Sequence, residues 1–492
     1  MRLSTLTMAV LTFGMILSSA SANIAAQGNQ YTTALQLERR GKFKEATRLL
    51  INDLDKSPGS FTADEKKKLL FEIERMRRIR IDYSLTAGQL YAQLEVSVKD
   101  ITRPEFDGWV KKGMFDARTI DDTLRFVNAS RSNLFFRYPS IAARRNPPAD
   151  ESGVNREILS ACEQIERCVD TATTPYVLPM KFEMEMRLSV DSGAAAPGET
   201  IRAWLPIPRK LPYQGGFELL SSSSKPLDVA PPESPIRSAY LEQTADRNGG
   251  ASFDVRYSYK TFGVKFRMSA GSVKPYDTSD ATYRRFTSEG PNIVFTKRIE
   301  RLSRTIVGGE TNPLLKARRI YDWVARNIRY SFAREYSTIR NVSDYCLTKE
   351  YGDCGQEAML FITLCRFNGI PARWQSGWFF FPGGKDIHDW TQIYINPYGW
   401  VPVDPYMGIR ASRYMNDLSR VQRDSVRDFY FGGLDQYRMT ANSDNNQELI
   451  PAKKFFRSDN VDFQRGEMET AKQNIYFNQF NYELDIKEIS AK

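Results

Sequence analysis

A chain of 492 residues is too long for one hydrophobic core, so about three domains are expected at roughly 150 residues each. The composition, 41% hydrophobic, 12% aromatic and 26% charged, is that of a globular protein. A net charge of +10, from 69 Lys and Arg against 59 Asp and Glu, suits anionic surroundings such as a cell envelope; the basic residues are scattered, which argues against nucleic acid as a partner.

The chain opens with Arg2, an apolar stretch through Met8 to Leu17, and small residues ending at Ala22, the layout of a cleavable secretory signal over 1–22. That apolar stretch is shorter than the ~20 residues a membrane span needs, and no later stretch is long enough. The expected protein is therefore secreted or periplasmic, not membrane-spanning, with cleavage after Ala22. Residues 23–172 read as a helical domain. Ala34, Leu35 and Leu37, then Gly41, then Ala46, Leu49 and Leu50 resemble one tetratricopeptide-type hairpin, and further helix is expected from Glu65 to Arg80 and from Leu85 to Lys99. If Asn155 to Val169 is one helix, Cys162 and Cys168 point about 120° apart and cannot bond. Five cysteines leave at least one unpaired, and Cys354 is the choice for a free thiol. One histidine and no Cys-x-x-Cys pair leave no zinc ligand set, and no metal or cofactor is expected.

Periodicity then changes. From Met180 to Val190 every even position is apolar, and Phe253, Val255, Tyr257 and Tyr259 repeat the pattern, so 173–290 is expected to be a β-sandwich. A helix begins again at Asn312-Pro313, with Ala317, Ile320, Val324 and Ile328 on one stripe. Residues 291–410 read as an α+β unit holding the candidate chemistry, and 411–492 as an extension packed on it. The whole chain is thus expected to be a multidomain α+β protein.

That chemistry centres on His388, the only histidine in the chain, which any imidazole-based proton shuttle must use. Gly352-Asp353-Cys354 leads into a helix with Ala358, Phe361, Ile362 and Cys365 on its inward face, which places Cys354 at a helix start, where the dipole favours thiolate. The Cys354 or Gly355 amide is then one oxyanion donor. Strands are expected over Ala372 to Phe381, His388 to Ile395 and Trp400 to Asp404. If Tyr394 pairs with Trp400, Trp390 opposes Asp404 and His388 lies two residues along on the same face; a loop one residue shorter puts Asp404 on the other face. Asp404 then holds one imidazole nitrogen while the other takes the thiol proton. The acids beside these motifs, Asp353, Asp386 and Asp389, read as loop or surface groups, as does Gln392.

Gly352-Asp353-Cys354 with its helix and Gly369-Ile370-Pro371-Ala372-Arg373, then His388-x-Trp390, then Gly399-Trp400-Val401-Pro402-Val403-Asp404-Pro405, together resemble the transglutaminase-like (transglutaminase/protease) superfamily over about 120 residues. The resemblance implies a papain-like core with Cys354 as nucleophile, His388 as base and Asp404 as its orienter. Tyr330, Tyr345 and Tyr351 are candidates for that family's aromatic oxyanion donor, and Gln375 and Trp390 for substrate contact. Calcium is not expected, since the family's acidic loops have no counterpart. The expected function is that of an exported cysteine peptidase or amidase acting on peptide or isopeptide amides through a thioester, on a peptide or protein substrate such as peptidoglycan or an envelope glycoprotein. The alternatives are a protein transamidase and a non-catalytic scaffold that binds an envelope glycan or protein.

Overall fold

The computed structural model describes residues 30–56 and 61–489, so the expected signal over 1–22 lies outside the described residues. The chain divides into two compact units: residues up to 135 with 140–146, and 136–139 with 147 onward.

The first unit is mainly helical. A helix ending at 39 and a second at Phe43–Lys56 turn about Gly41, whose φ of +82° and whose approach to the Thr119 carbonyl leave no room for a Cβ. Helices Ala63–Asp82 and Ala87–Ser97 each start on a capping box, Thr62 with Glu65 and Thr86 with Gln89. Phe43, Ala46, Leu50, Leu69, Met76 and Ile79 fill the core between them.

In the second unit, Tyr176–Val190 pairs with Ala251–Lys265 on one side and Phe480–Ile489 on the other. Its alternation puts Phe182, Met184, Met186 and Leu188 into a core shared with Ile201, Ala203 and Leu205 of Thr200–Pro206, from a second five-stranded sheet. A four-stranded sheet has the order Gly399–Val403, Gly384–Ile395, Ala372–Phe381, Arg438–Ser443, all antiparallel. Helix Cys354–Phe367 lies on one face of it, where Ala358, Phe361, Ile362 and Cys365 meet Trp374, Ile393, Ile395, Val401 and Val403. The other face sets Trp390 against Tyr213, Val264 and Leu434.

Two boundaries differ from those expected. Helix Ser152–Val169 belongs to the second unit, not to the 23–172 domain, because Ile158, Cys162 and Ile165 pack on Phe381, Met407, Met415 and Phe429. The segment 411–492 is not an extension laid on the core. Arg438–Ser443 is an edge strand of the sheet beside the helix, Glu467–Glu469 pairs with Thr200–Pro206, and Phe480–Ile489 runs the length of Tyr176–Val190. All five cysteines are free.

Gly377 pairs with both His388 and Thr440, at a shift in strand register. A Cβ there would stand 1.8 Å from the Met439 carbonyl oxygen, a backbone atom that moves only with its strand. Gly377→Ala is therefore expected to cost more than ~2 kcal/mol, read as a lowered urea midpoint.

Candidate active site

The hairpin register is the one that joins His388 to Asp404. Tyr394 pairs with Trp400 and Thr391 with Val403, so Asp404 falls opposite Trp390, just beyond the last pair. The His388 Nε2–H donates to Asp404 Oδ2 at 2.8 Å, with both side chains buried. Asp404 caps helix Pro405–Arg413, its Oδ1 accepting from the Met407 amide at 3.1 Å. Arg438, also buried, stands 2.8 Å from Asp404 Oδ2 and donates from Nε to Asp435 Oδ2 at 2.8 Å. Burial works against the Asp404 charge, but His388 and Arg438 outweigh it and hold the carboxyl below its ordinary range. Burial depresses the His388 pKa more than Asp404 raises it, so the ring is neutral at pH 7 with Nδ1 free to take a proton. The ring lies nearly parallel to Trp390 at 5.8 Å and edge-on to Phe379 and Tyr406 at 5.2 Å.

Cys354 begins its helix, and Asp353 is the cap: Asp353 Oδ1 accepts from the Gln356 amide at 3.0 Å and from the Tyr336 hydroxyl at 2.8 Å. The thiol stands 3.5 Å from Asp389 Oδ2. Successive strand residues point to opposite faces, so Asp389 leaves its strand with Ile393, toward the helix, while His388 leaves with Trp390. Pairing with Gly399–Val403 stops at Thr391, which leaves His388 to Trp390 as an open strand edge on that side. Among the described residues no hydrogen bond joins the thiol to the imidazole; the partner of Cys354 is Asp389, the neighbour of His388.

A cavity of about 260 Å³ opens at the thiol, with Tyr330, Tyr336, Asp353, Asp389, Asp462 and Arg465 among its lining residues. The helix start does not make Cys354 a thiolate, contrary to expectation. Burial, then the nearby Asp389 and Asp353, push its pKa well up and outweigh the dipole. Gly355 is where backbone must come close: a Cβ there would lie 2.0 Å from the Tyr336 hydroxyl and 2.7 Å from Asp389.

Of the expected aromatic donors, Tyr330 lines the cavity. Tyr345 lies against the apolar core with Arg334 over its ring, and Tyr351 takes the Arg137 guanidinium at 3.6 Å; neither lines it. Gln375 is buried, accepting from the Ser443 hydroxyl at 2.7 Å, and Trp390 is covered by His388 and Arg438, so both support the sheet and neither faces the cavity. Gln392 accepts from Arg373 at 2.9 Å. Asp386 is exposed at the rim, whereas Asp353 caps the thiol's helix and Asp389 contacts the thiol, so neither is a surface group. Sequence reasoning missed Tyr336, Arg438 and the site role of Asp389. Only Asp389 carried a signal: an acid among Thr391, Ile393 and Ile395 on the apolar face of a buried strand.

The model of the transglutaminase-like superfamily matches residues 300–405. This region is a transglutaminase-like domain. It runs from within helix Lys297–Val307 through the Cys354 helix and the hairpin to the residue after Asp404. No curated protein matches the chain significantly. Among solved structures, the chain is similar to a candidate cysteine protease from Cytophaga hutchinsonii, at 15% identity, 64% of this chain, 93% of that chain and TM-score 0.39. It is also similar to the periplasmic domain of TgpA from Pseudomonas aeruginosa, at 13% identity, 52% of this chain, 94% of that chain and TM-score 0.26. No helix among the described residues is long and apolar enough to cross a membrane.

Glu357, one turn after Cys354, is fully buried, and neither carboxyl oxygen has a hydrogen-bond partner. Burial raises its pKa well above the ordinary range, so its neutral form is favoured. A raised folded pKa means stability is greatest below the unfolded value, near 4.3, and is lost as pH climbs through the folded one. Glu357→Gln is therefore expected to be more stable than the parent by an amount that grows with pH, reaching about 1–3 kcal/mol, in urea melts between about pH 5 and 8.

Proposed function

We propose that this protein is an exported thiol-dependent acyl-transfer enzyme that hydrolyses peptide or isopeptide amides. Cys354 is the nucleophile, His388 the general base and then the general acid, and Asp404 the group that fixes and supports the imidazole. The observation that carries this reading is the buried 2.8 Å contact of the sole imidazole with Asp404, on the strand whose next residue touches the thiol. Nothing else in the chain supplies a neutral-pH base of this kind.

The steps follow from the atoms available. The Cys354 S–H proton passes to His388 Nδ1 around the open strand edge, and sulfur bonds to the amide carbonyl carbon. Charge develops on the carbonyl oxygen. Asp353 claims the Gln356 amide, and the Cys354 and Gly355 amides at the helix start are the donors proposed for that oxygen. The C–N bond breaks as His388 returns the proton to the leaving amine, giving a thioester. Water, deprotonated by the same imidazole, then releases the acid and restores the thiol. Asp404 stays ionised throughout, because Arg438 and the Met407 amide hold its charge in place.

The proposed substrate is a peptide or protein of the cell envelope, such as a peptidoglycan stem, reached after export directed by residues 1–22. Iodoacetamide labelling near pH 6 with peptide mapping is expected to modify Cys354 selectively, and His388→Ala to slow it at least about a hundredfold. Cys354→Ala is expected to lower kcat/KM on such peptides by roughly 10⁴-fold or more with folding intact. Equal, slow labelling of every cysteine, with peptides left uncut, would favour a scaffold instead.

A further inference from the structure

The thiol's own contact is with a carboxyl group that a cysteine, histidine and aspartate set does not use. Asp389 is 2% exposed, and its two oxygens have different surroundings. Oδ1 accepts from Gln464 Nε2 at 3.0 Å, the same amide nitrogen that donates to the His388 carbonyl at 2.9 Å. Oδ2 lies within accepting distance of the Cys354 thiol at 3.5 Å and of the Tyr336 hydroxyl at 3.4 Å, although the one Tyr336 proton has a shorter acceptor in Asp353 at 2.8 Å. The groups that face Asp389 are Cys354 and Asp353 from the helix, Tyr336 from the preceding segment, and Asp459, Asp462 and Gln464 from the C-terminal segment. The nearby cation, Arg465, is taken by Glu335 at 2.5 Å and by Asp459 at 3.7 Å.

Two carboxyls this close to one thiol do not both ionise readily. Asp353 has the better claim on the charge, since it accepts from both the Gln356 amide and Tyr336, and burial pushes it up only to about 6. Asp389 has burial and the Asp353 charge against it, and both push it well above the ordinary carboxylate range. Gln464 occupies Oδ1 as a donor, and the single Tyr336 proton goes to Asp353 at the shorter distance, so the proton of a neutral Asp389 belongs on Oδ2, the oxygen that faces sulfur.

We propose that Asp389 is a fourth catalytic group: in its neutral form it donates a hydrogen bond to the Cys354 sulfur, and the reactive thiolate forms only while that proton is in place. The inference rests on the reading of Cys354 as nucleophile and adds the regulation of that site. The Asp389 proton is not transferred; the thiol proton still goes to His388, and the S–H bond breaks while the O–H of Asp389 is shared with sulfur. When Asp389 ionises, a full negative charge stands against the sulfur and the thiolate is disfavoured, so the enzyme works on the acid side of that titration.

The test is the pH profile of iodoacetamide alkylation of Cys354, followed by peptide mapping, in the full chain and in Asp389→Asn, Asp389→Ala and His388→Ala. The parent profile is expected to pass through a maximum and fall at least about tenfold on its alkaline side. Asp389→Asn keeps a donor and cannot ionise, so it is expected to lose that alkaline fall; Asp389→Ala, with no donor, is expected to be slower than Asp389→Asn throughout. A parent rate that climbs steadily with pH overturns the proposal without recourse to any variant, as does an Asp389→Asn profile that superimposes on the parent. If His388→Ala leaves the parent rate unchanged at every pH, the proposed function fails as well. A His388-dependent rate that ignores Asp389 removes this inference alone.

Discussion

A single chain of polar groups, from the neutral His388 to Asp404, Arg438 and Asp435, lies entirely inside the protein, and the arrangement around the candidate nucleophile depends on it. Taking such groups out of water costs several kcal/mol each, and the mutual attraction of the paired charges offsets it. The pairing is supplied by three elements: the strand bearing His388, the helix that Asp404 caps, and the edge strand that starts at Arg438. Removing Arg438 would leave Asp404 without its buried cation, so this network ties the C-terminal segment to the hairpin. Burial also sets the protonation states: Asp404 keeps its charge because two partners hold it, and His388 stays neutral because water is excluded.

The thiol's side of the strand follows the opposite rule. There the carboxyls outnumber the cations, burial raises the pKa of Asp353 to about 6 and that of Asp389 further, and Cys354 itself is held as a thiol. One face of the strand thus meets the ionised Asp404 through His388, while the other carries Asp389, a carboxyl that burial pushes well above its ordinary range, one residue along.

Much of this was legible in the sequence because it is local. The alternation from Met180 to Val190, the stripe Ala358, Phe361, Ile362 and Cys365, and the dependence of Asp404's side on the Tyr394 to Trp400 register all rest on periods of 2 and 3.6 residues. What escaped was non-local. Phe480–Ile489 pairs with a strand nearly three hundred residues earlier, and nothing in its own alternation names that partner. Arg438 gives no sign in sequence that it will meet Asp404, and the neighbours that keep Asp389 buried, Asp462 and Gln464, arrive from the far end of the chain. Ser152–Val169 was assigned to the wrong unit for the same reason: its apolar stripe is plain, but the surface that covers it is not.

Because His388 is the only histidine, imidazole nitrogen NMR on the untagged protein reports one ring without any assignment problem. At pH 7 the expected spectrum is that of a neutral ring protonated at Nε2, its proton slow to exchange and shifted by the hydrogen bond to Asp404, with Nδ1 bare. A freely exchanging ring, a doubly protonated ring, or a proton on Nδ1 would contradict the buried His388–Asp404 contact on which the proposed chemistry stands.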